Sequence, residues 1–187
     1  MSTVKLNTAQ SIIAHVVQIE GGFVNDAADS GGATRYGITE QVARDNGYQG
    51  PMVDLPKATA IEIYRRNYWA ELMLDDVLKT SPGVALELFD TAVNAGVSFA
   101  ATSLQRVLNV LNRNGRDFPD LVVDGDIGPN TIAAYQDFLR TRSRYGETVL
   151  LRALNCVQGA HYIELSERRS KDERFTFGWL LNRVAIH

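Results

Sequence analysis

With 187 residues, 45% of them hydrophobic and 22% charged, the chain holds enough apolar material for one compact core, or one core with a small appended lobe. Its net charge of −3 is unevenly divided: residues 1–100 carry 7 Lys and Arg against 12 Asp and Glu, and residues 101–187 carry 12 against 10. No concentrated basic stripe exists to neutralise phosphates, the main source of nucleic-acid affinity, so nucleic acid is excluded as a partner.

Asn7 followed by Gln10 resembles a helix start, and Ile12, Val16 and Ile19 then fall at i, i+4 and i+7, which predicts one buried stripe. The apolar stretch from Ile12 to Val17 is interrupted by His15 and preceded by no basic cluster. That pattern predicts neither a secretory signal nor membrane insertion, and a protein made in the cytoplasm. Gly21-Gly22 stops the helix and leaves Glu20 at or next to its end. The following FVNDAADSGGATRYGI reads as a turn-rich ribbon forming a short hairpin. Thr39 caps a short helix ending near Gly47, and Pro56 opens another that runs through Ile61, Tyr64 and Tyr68 to Trp69.

Ser81-Pro82 is a cap followed by a first-turn proline, and Ala85, Leu88, Phe89, Ala92 and Val93 mark a central helix up to Gly96. Leu104, Val107, Leu108 and Leu111 mark the next helix. The polar loop Asn112 to Phe118 is the expected site of a lobe boundary, and the chain is read as a catalytic region at 1–100 followed by a helical C-terminal lobe at 101–187. Helices are predicted from Pro129 to about Leu139 and from about Glu147 to Arg168. A charged link at Arg169 to Arg174 precedes a short closing helix, Phe177 to Val184. Cys156 is the only cysteine, so no intrachain disulfide is possible.

Glycoside hydrolysis needs a carboxylic acid to protonate the leaving oxygen, and usually a second carboxylate to direct water or stabilise an oxocarbenium-like transition state. Glu20 and Asp29 suit those roles. A helix-terminal Glu sits at the negative end of the macrodipole, and burial against Phe23 or Tyr36 would further favour its protonated form. Asp29, in an Asp-Ser-Gly-Gly turn, is expected to stay ionised, while Thr34 supplies a hydroxyl that can hold a water. Spacing alone favours a solvated helix end, an ordinary turn former and a strand residue.

The run Glu20-Gly21-Gly22-Phe23, then Asp29-Ser30-Gly31-Gly32-Ala33-Thr34 and Tyr36-Gly37-Ile38, resembles the opening motif of glycoside hydrolase family 108, which contains N-acetylmuramidases including phage endolysins. By that resemblance Glu20 takes the position of the catalytic glutamate, and Glu20, Asp29 and Thr34 follow the order of the catalytic trio in phage-type lysozymes. The Asp-to-Thr gap differs by about a residue from those more distant lysozymes. Ile63-Tyr64 through Tyr68-Trp69 and Asp90 through Asn94-Ala95-Gly96 are similar to the family's later helices. Phe177-Gly178-Trp179 and Asn182-Arg183 match its closing motif, in which an aromatic lines the cleft and the Arg meets a carboxylate. The resemblance thus makes Tyr36, Asp90, Asn94 and Trp179 candidate substrate-binding residues. Packing of the central helix and anchoring of the tail are the structural alternatives. Asp124-Gly125-Asp126-Ile127-Gly128-Pro129-Asn130-Thr131 resembles a turn of predicted peptidoglycan-binding segments, although its glycines and proline have a complete structural explanation.

The resemblance implies a mainly helical, lysozyme-like α+β fold with a short β-hairpin and a packed helical C-terminal lobe. It further implies a muramidase hydrolysing the β-1,4 bond between N-acetylmuramic acid and N-acetylglucosamine, in phage or prophage lysis beside a separate holin-type membrane-permeabilising partner. A monomer acting on the wall in the periplasm is expected. A lytic transglycosylase, a secretion-associated bacterial muramidase and a noncatalytic wall-binding protein remain alternatives. His15, His161 and His187 are scattered, so neither a zinc centre nor a Cys/His nucleophile is indicated, and no cofactor is implied.

Overall fold

In the computed structural model, which describes residues 6–24 and 32–184, the first helix starts one residue later than Asn7 suggests. Helix α1 (Ala9–Ile19) is capped by Thr8, whose hydroxyl accepts from the Ser11 amide at 3.1 Å while the Ser11 hydroxyl accepts from the Thr8 amide, a reciprocal box that satisfies two end donors. The buried stripe is Ile12, Ile13, Val16 and Val17. Ile19, the last residue of the helix, is 55% exposed.

Instead of a lone hairpin, the ribbon forms a three-stranded antiparallel sheet in the order β1 (Phe23–Val24), β2 (Thr34–Arg35), β3 (Ile38–Thr39). Its register pairs Phe23 with Arg35, Val24 with Thr34, and Arg35 with Ile38. Thr39 then caps α2 (Glu40–Asp45) by accepting from the Val42 amide. Pro56 precedes α3 (Lys57–Tyr64), which packs on α1, and the helix expected to run on to Trp69 instead widens into a π-helical turn over Arg65–Ala70. These elements belong to a first compact unit, Met1–Glu71.

The second unit, Leu72–His187, is helical in its described residues. A short helix, α4 (Leu74–Leu78), precedes the expected central helix α5 (Pro82–Ala95), which the Ser81 hydroxyl caps by accepting from the Val84 amide at 3.0 Å. Gly96 ends α5 and also opens α6 (Val97–Leu111), so this helix begins seven residues before the apolar stripe that announced it. Helices α7 (Pro129–Arg142), α8 (Gly146–Arg168) and α9 (Glu173–Arg183) follow. Helix α5 packs against α4, α6 and α8, while α9 lies on α8. The core is formed by Leu88, Phe89, Leu104, Leu108, Tyr135, Phe138, Leu150 and Leu154, all essentially buried.

The loop after α6 is tied down from within. Asn112, 1% exposed, donates its side-chain amide to the Phe118 carbonyl and to Asp120, and accepts from the Gly115 amide. Arg113 pairs with Asp117 across the turn, and this guanidinium holds the Asp117 carboxyl below its ordinary pKa. Among the described residues no helix is long and apolar enough to cross a membrane.

Candidate active site

Glu20 is the C-cap of α1: its backbone is still helical (φ −63°), and its amide donates to the Val16 carbonyl at 3.0 Å. Gly21, at φ +91°, takes the left-handed conformation that turns the chain out of the helix. Glu20 is half-buried.

Across from it lies the turn joining β2 to β3. Tyr36 and Gly37 both have positive φ, 53° and 70°, as the two central residues of a type I′ hairpin turn require. A Cβ on Gly37 would lie 3.2 Å from the Glu20 Cβ, 3.3 Å from its Oε2 and 2.6 Å from the Tyr64 Oη, so the bare glycine backbone forms one wall of the carboxylate's surroundings. Left-handed backbone is costly for a bulky residue such as Tyr36. The phenol of Tyr64, 2% exposed, holds it there by donating to the Tyr36 carbonyl at 3.0 Å, and the Arg35 guanidinium lies 5.2 Å from the Tyr36 ring centre.

Tyr68 completes this side. Its ring stacks on Tyr64 with centres 5.3 Å apart, one turn along the helix that widens at Arg65. Burial, and then the negative charge of Glu20, hold the Tyr68 phenol above its ordinary pKa, which keeps it an O–H donor. A π-helical turn frequently marks a functional position, and here it carries Tyr68. The arrangement sets the half-buried Glu20 beside the Tyr64 and Tyr68 rings and the turn between β2 and β3.

Thr34 lies on β2 opposite Val24, half-buried, with its hydroxyl donating to the Val24 carbonyl at 3.4 Å. Asp29 lies outside the described residues. Glu20, Tyr36 and Thr34 all fall in the first unit, whereas Asp90, Asn94 and Trp179 belong to the second. There Asp90 of α5 receives Arg183 of α9 at 2.8 Å, so the closing motif's Arg does meet a carboxylate. Asn94 is exposed, and its amide donates to the Asp90 carbonyl of its own helix. Trp179 stacks between Tyr162 and Phe175, with ring centres at 5.2 and 5.8 Å.

Residues 13–96 match the family described as Glycosyl hydrolase 108, and residues 99–184 match the one described as Predicted Peptidoglycan domain. The chain thus carries a glycosyl hydrolase 108 region followed by a peptidoglycan domain. As such it is a glycoside hydrolase acting on peptidoglycan. The structure of Brucella abortus SagA is similar to it over 94% of this chain and 95% of that one, at 26% identity and a TM-score of 0.60. No curated protein sequence matches the chain. The mainly helical α+β fold with its small antiparallel sheet is the lysozyme-like class that the family resemblance implied.

Sequence reasoning assigned no site role to Tyr64, Tyr68 or Gly37 in this glycosyl hydrolase 108 domain. The i, i+4 spacing of the two tyrosines was a usable signal. The approach of Gly37 to Glu20 was not, because it depends on how the turn meets the end of α1.

Proposed function

We propose that the chain is an N-acetylmuramidase in which Glu20 is the general acid. The supporting observation is the placement of the Glu20 carboxyl at the end of α1, partly open to solvent, between the Gly37 backbone and the Tyr64 and Tyr68 phenols. In this reading Glu20 donates its proton to the glycosidic oxygen as the β-1,4 bond between N-acetylmuramic acid and N-acetylglucosamine breaks. Asp29 stabilises the positive charge that develops on the sugar ring. Thr34 orients the attacking water: its hydroxyl proton is turned toward the Val24 carbonyl, so its oxygen lone pairs are the groups offered to that water. Tyr36, Asp90, Asn94 and Trp179 are assigned to substrate binding, Asp90 and Trp179 acting from the packed positions described above.

The catalytic region is assigned to residues 1–100 and the C-terminal lobe to 101–187. The biological role we assign is host lysis as a phage or prophage endolysin. The protein acts as a monomer in the periplasm, after a holin-type partner has opened the membrane. Mass analysis of sugar ends released from purified peptidoglycan tests the reaction. Reducing N-acetylmuramic acid ends are expected, anhydro ends would convert the assignment to a lytic transglycosylase, and undigested wall would leave only a binding protein.

A further inference from the structure

The chemistry assigned to Glu20 makes no use of the loop and helix start between α6 and α7. There the second unit forms a solvent-open cavity of about 530 Å³, within the size range of small-ligand sites. Its rim is built by a buried amide. Gln105, 1% exposed, donates to the Asp124 carboxylate at 2.7 Å and to the Asp126 carbonyl at 2.9 Å, and accepts from the Gly125 amide at 3.1 Å. Those bonds hold the Asp124 carboxyl ionised, below its ordinary pKa. They also account structurally for the first half of the motif from Asp124 to Thr131.

The second half is not accounted for in this way. Asp126 contributes its backbone to the turn, but among the described residues its carboxylate has no hydrogen bond or ion pair. Thr131 is only 4% exposed and lines the cavity, yet among the described residues its hydroxyl has no partner. Gly128 is the N-cap of α7 and no side chain caps the helix, so the first-turn amides and the positive end of the helix dipole are available to an anion at the cavity wall. Asp120 and Asp137 also line the cavity while no Lys or Arg does, and Phe118 and Leu121 supply apolar surface. One wall therefore suits a carboxylate, the other an ammonium group, with methylene-binding surface in the same cavity.

We propose that this cavity binds the peptide stem of peptidoglycan through the zwitterionic end of a diamino-dicarboxylic residue. The ligand carboxylate lies at the start of α7 against the Thr131 hydroxyl, its ammonium group lies against Asp126, and its methylene chain covers Phe118 and Leu121. Asp137 is already paired with Arg140, and Asp120 and Asp124 accept from Asn112 and Gln105; a neutral sugar would leave Asp126 without a counter-charge, whereas a cationic amine supplies one. The proposal rests on the reading of the chain as an enzyme of peptidoglycan and names which part of that polymer the second unit holds.

The test titrates the isotopically labelled full-length protein with the tripeptide L-Ala-γ-D-Glu-meso-diaminopimelate, following backbone amide resonances. Shifts are expected at Gly128, Asn130 and Thr131. Asp126→Asn and Thr131→Val, each close in shape to the original, should weaken binding about 10-fold, as loss of one hydrogen bond to a charged group does. The analogue with lysine in place of diaminopimelate keeps the ammonium but lacks the neighbouring carboxylate, and should also bind about 10-fold more weakly. Absence of shifts at these amides, or binding unchanged by both substitutions, would overturn the proposal. Digestion of purified sacculi, run in parallel, separates the two readings. Digestion without tripeptide binding removes the stem-peptide site and leaves the hydrolase standing. Tripeptide binding at these amides without digestion supports the site and removes the hydrolytic role.

Discussion

At Gly37 two requirements meet, a positive φ and a bare α-carbon, and both act on the candidate acid. An alanine there would be strained at φ +70° and would place its methyl against the Tyr64 hydroxyl and the Glu20 side chain. Gly37→Ala is expected to cost roughly 1–3 kcal/mol of stability. It should also lower lytic activity beyond what that loss explains, because the carboxylate itself is displaced; thermal unfolding and wall-clearing rates measured on the same preparation check both effects. Glu20→Gln is nearly isosteric at the end of α1, so the fold should persist while activity falls by about 10² to 10⁴. Wild-type clearing by a folded Glu20→Gln protein would remove the assignment. Thr34→Ala should slow hydrolysis less, since in the proposed mechanism Thr34 only orients the water and its bond to Val24 is long. Equal inactivity of Thr34→Ala and Glu20→Gln would reverse the ranking of their roles. The position of Glu20 was legible because Gly21-Gly22 stops a helix in any context. The left-handed Tyr36 was not, because a tyrosine adopts that conformation only when something distant, here Tyr64, holds it.

Among the elements, α5 shows how a helix read correctly from its stripe can still carry an unexpected group. Glu87 is pushed up to about 7, first by burial, then by the charge of Asp90, with a hydrogen bond from Asn155 of α8 partly opposing the shift. Its Oε1 is buried and has no partner among the described residues. A carboxyl that binds its proton more tightly in the folded chain stabilises the fold below its ordinary pKa of 4.5, and that contribution is lost as pH rises through about 7. The shift corresponds to about 3 kcal/mol across this window. Glu87→Gln should therefore flatten the fall in melting temperature between those pH values and leave the variant the more stable protein at pH 8. An unchanged pH profile would contradict the burial argument. Helix boundaries were legible where caps mark them, as at Ser81 and Thr39. The π-helical turn and α4 were not: the first keeps an ordinary helical composition, and the second has five residues, two of them aspartates.

For the whole molecule, the two matched families meet between residues 96 and 99, whereas α5 and α6, on either side of that point, share one compact unit. Ser81 donates to Glu147, Gln158 to Thr91 and Arg183 to Asp90, so α5 and its cap are bonded to α8 and α9. Truncation after Asn112 removes α7, α8 and α9 and bares the faces of α5 and α6 that they cover. That fragment is expected to be insoluble or molten, as judged by the dispersion of its amide spectrum and by dye binding. A soluble, sharply folded and fully lytic 1–112 fragment would show the C-terminal lobe to be a detachable module. Among the described residues no group of three or more His, Cys, Asp or Glu could hold a metal ion, and activity is expected to survive EDTA. Inactivation that zinc restores would point to a metal-dependent amidase instead.

Local chemistry determined what the sequence alone could specify: the caps at Thr39 and Ser81, the stop after Glu20, the apolar stripes of α1 and α5, and a carboxylate stranded at a helix end beside a glycine-rich ribbon. These depend on neighbours within about one helical turn, and residue type decides them. The tertiary structure decided what depends on distant partners. It set the Gly37 backbone against Glu20, held Tyr36 in a left-handed turn through Tyr64, and joined Asp90 to Arg183 across 93 positions of chain. It also shaped an open cavity beside Asp126 and Thr131, using a glutamine 21 residues before that aspartate. Such pairings follow from packing, in which the position of each side chain is set by surfaces far away in sequence, so no periodicity along the chain announces them.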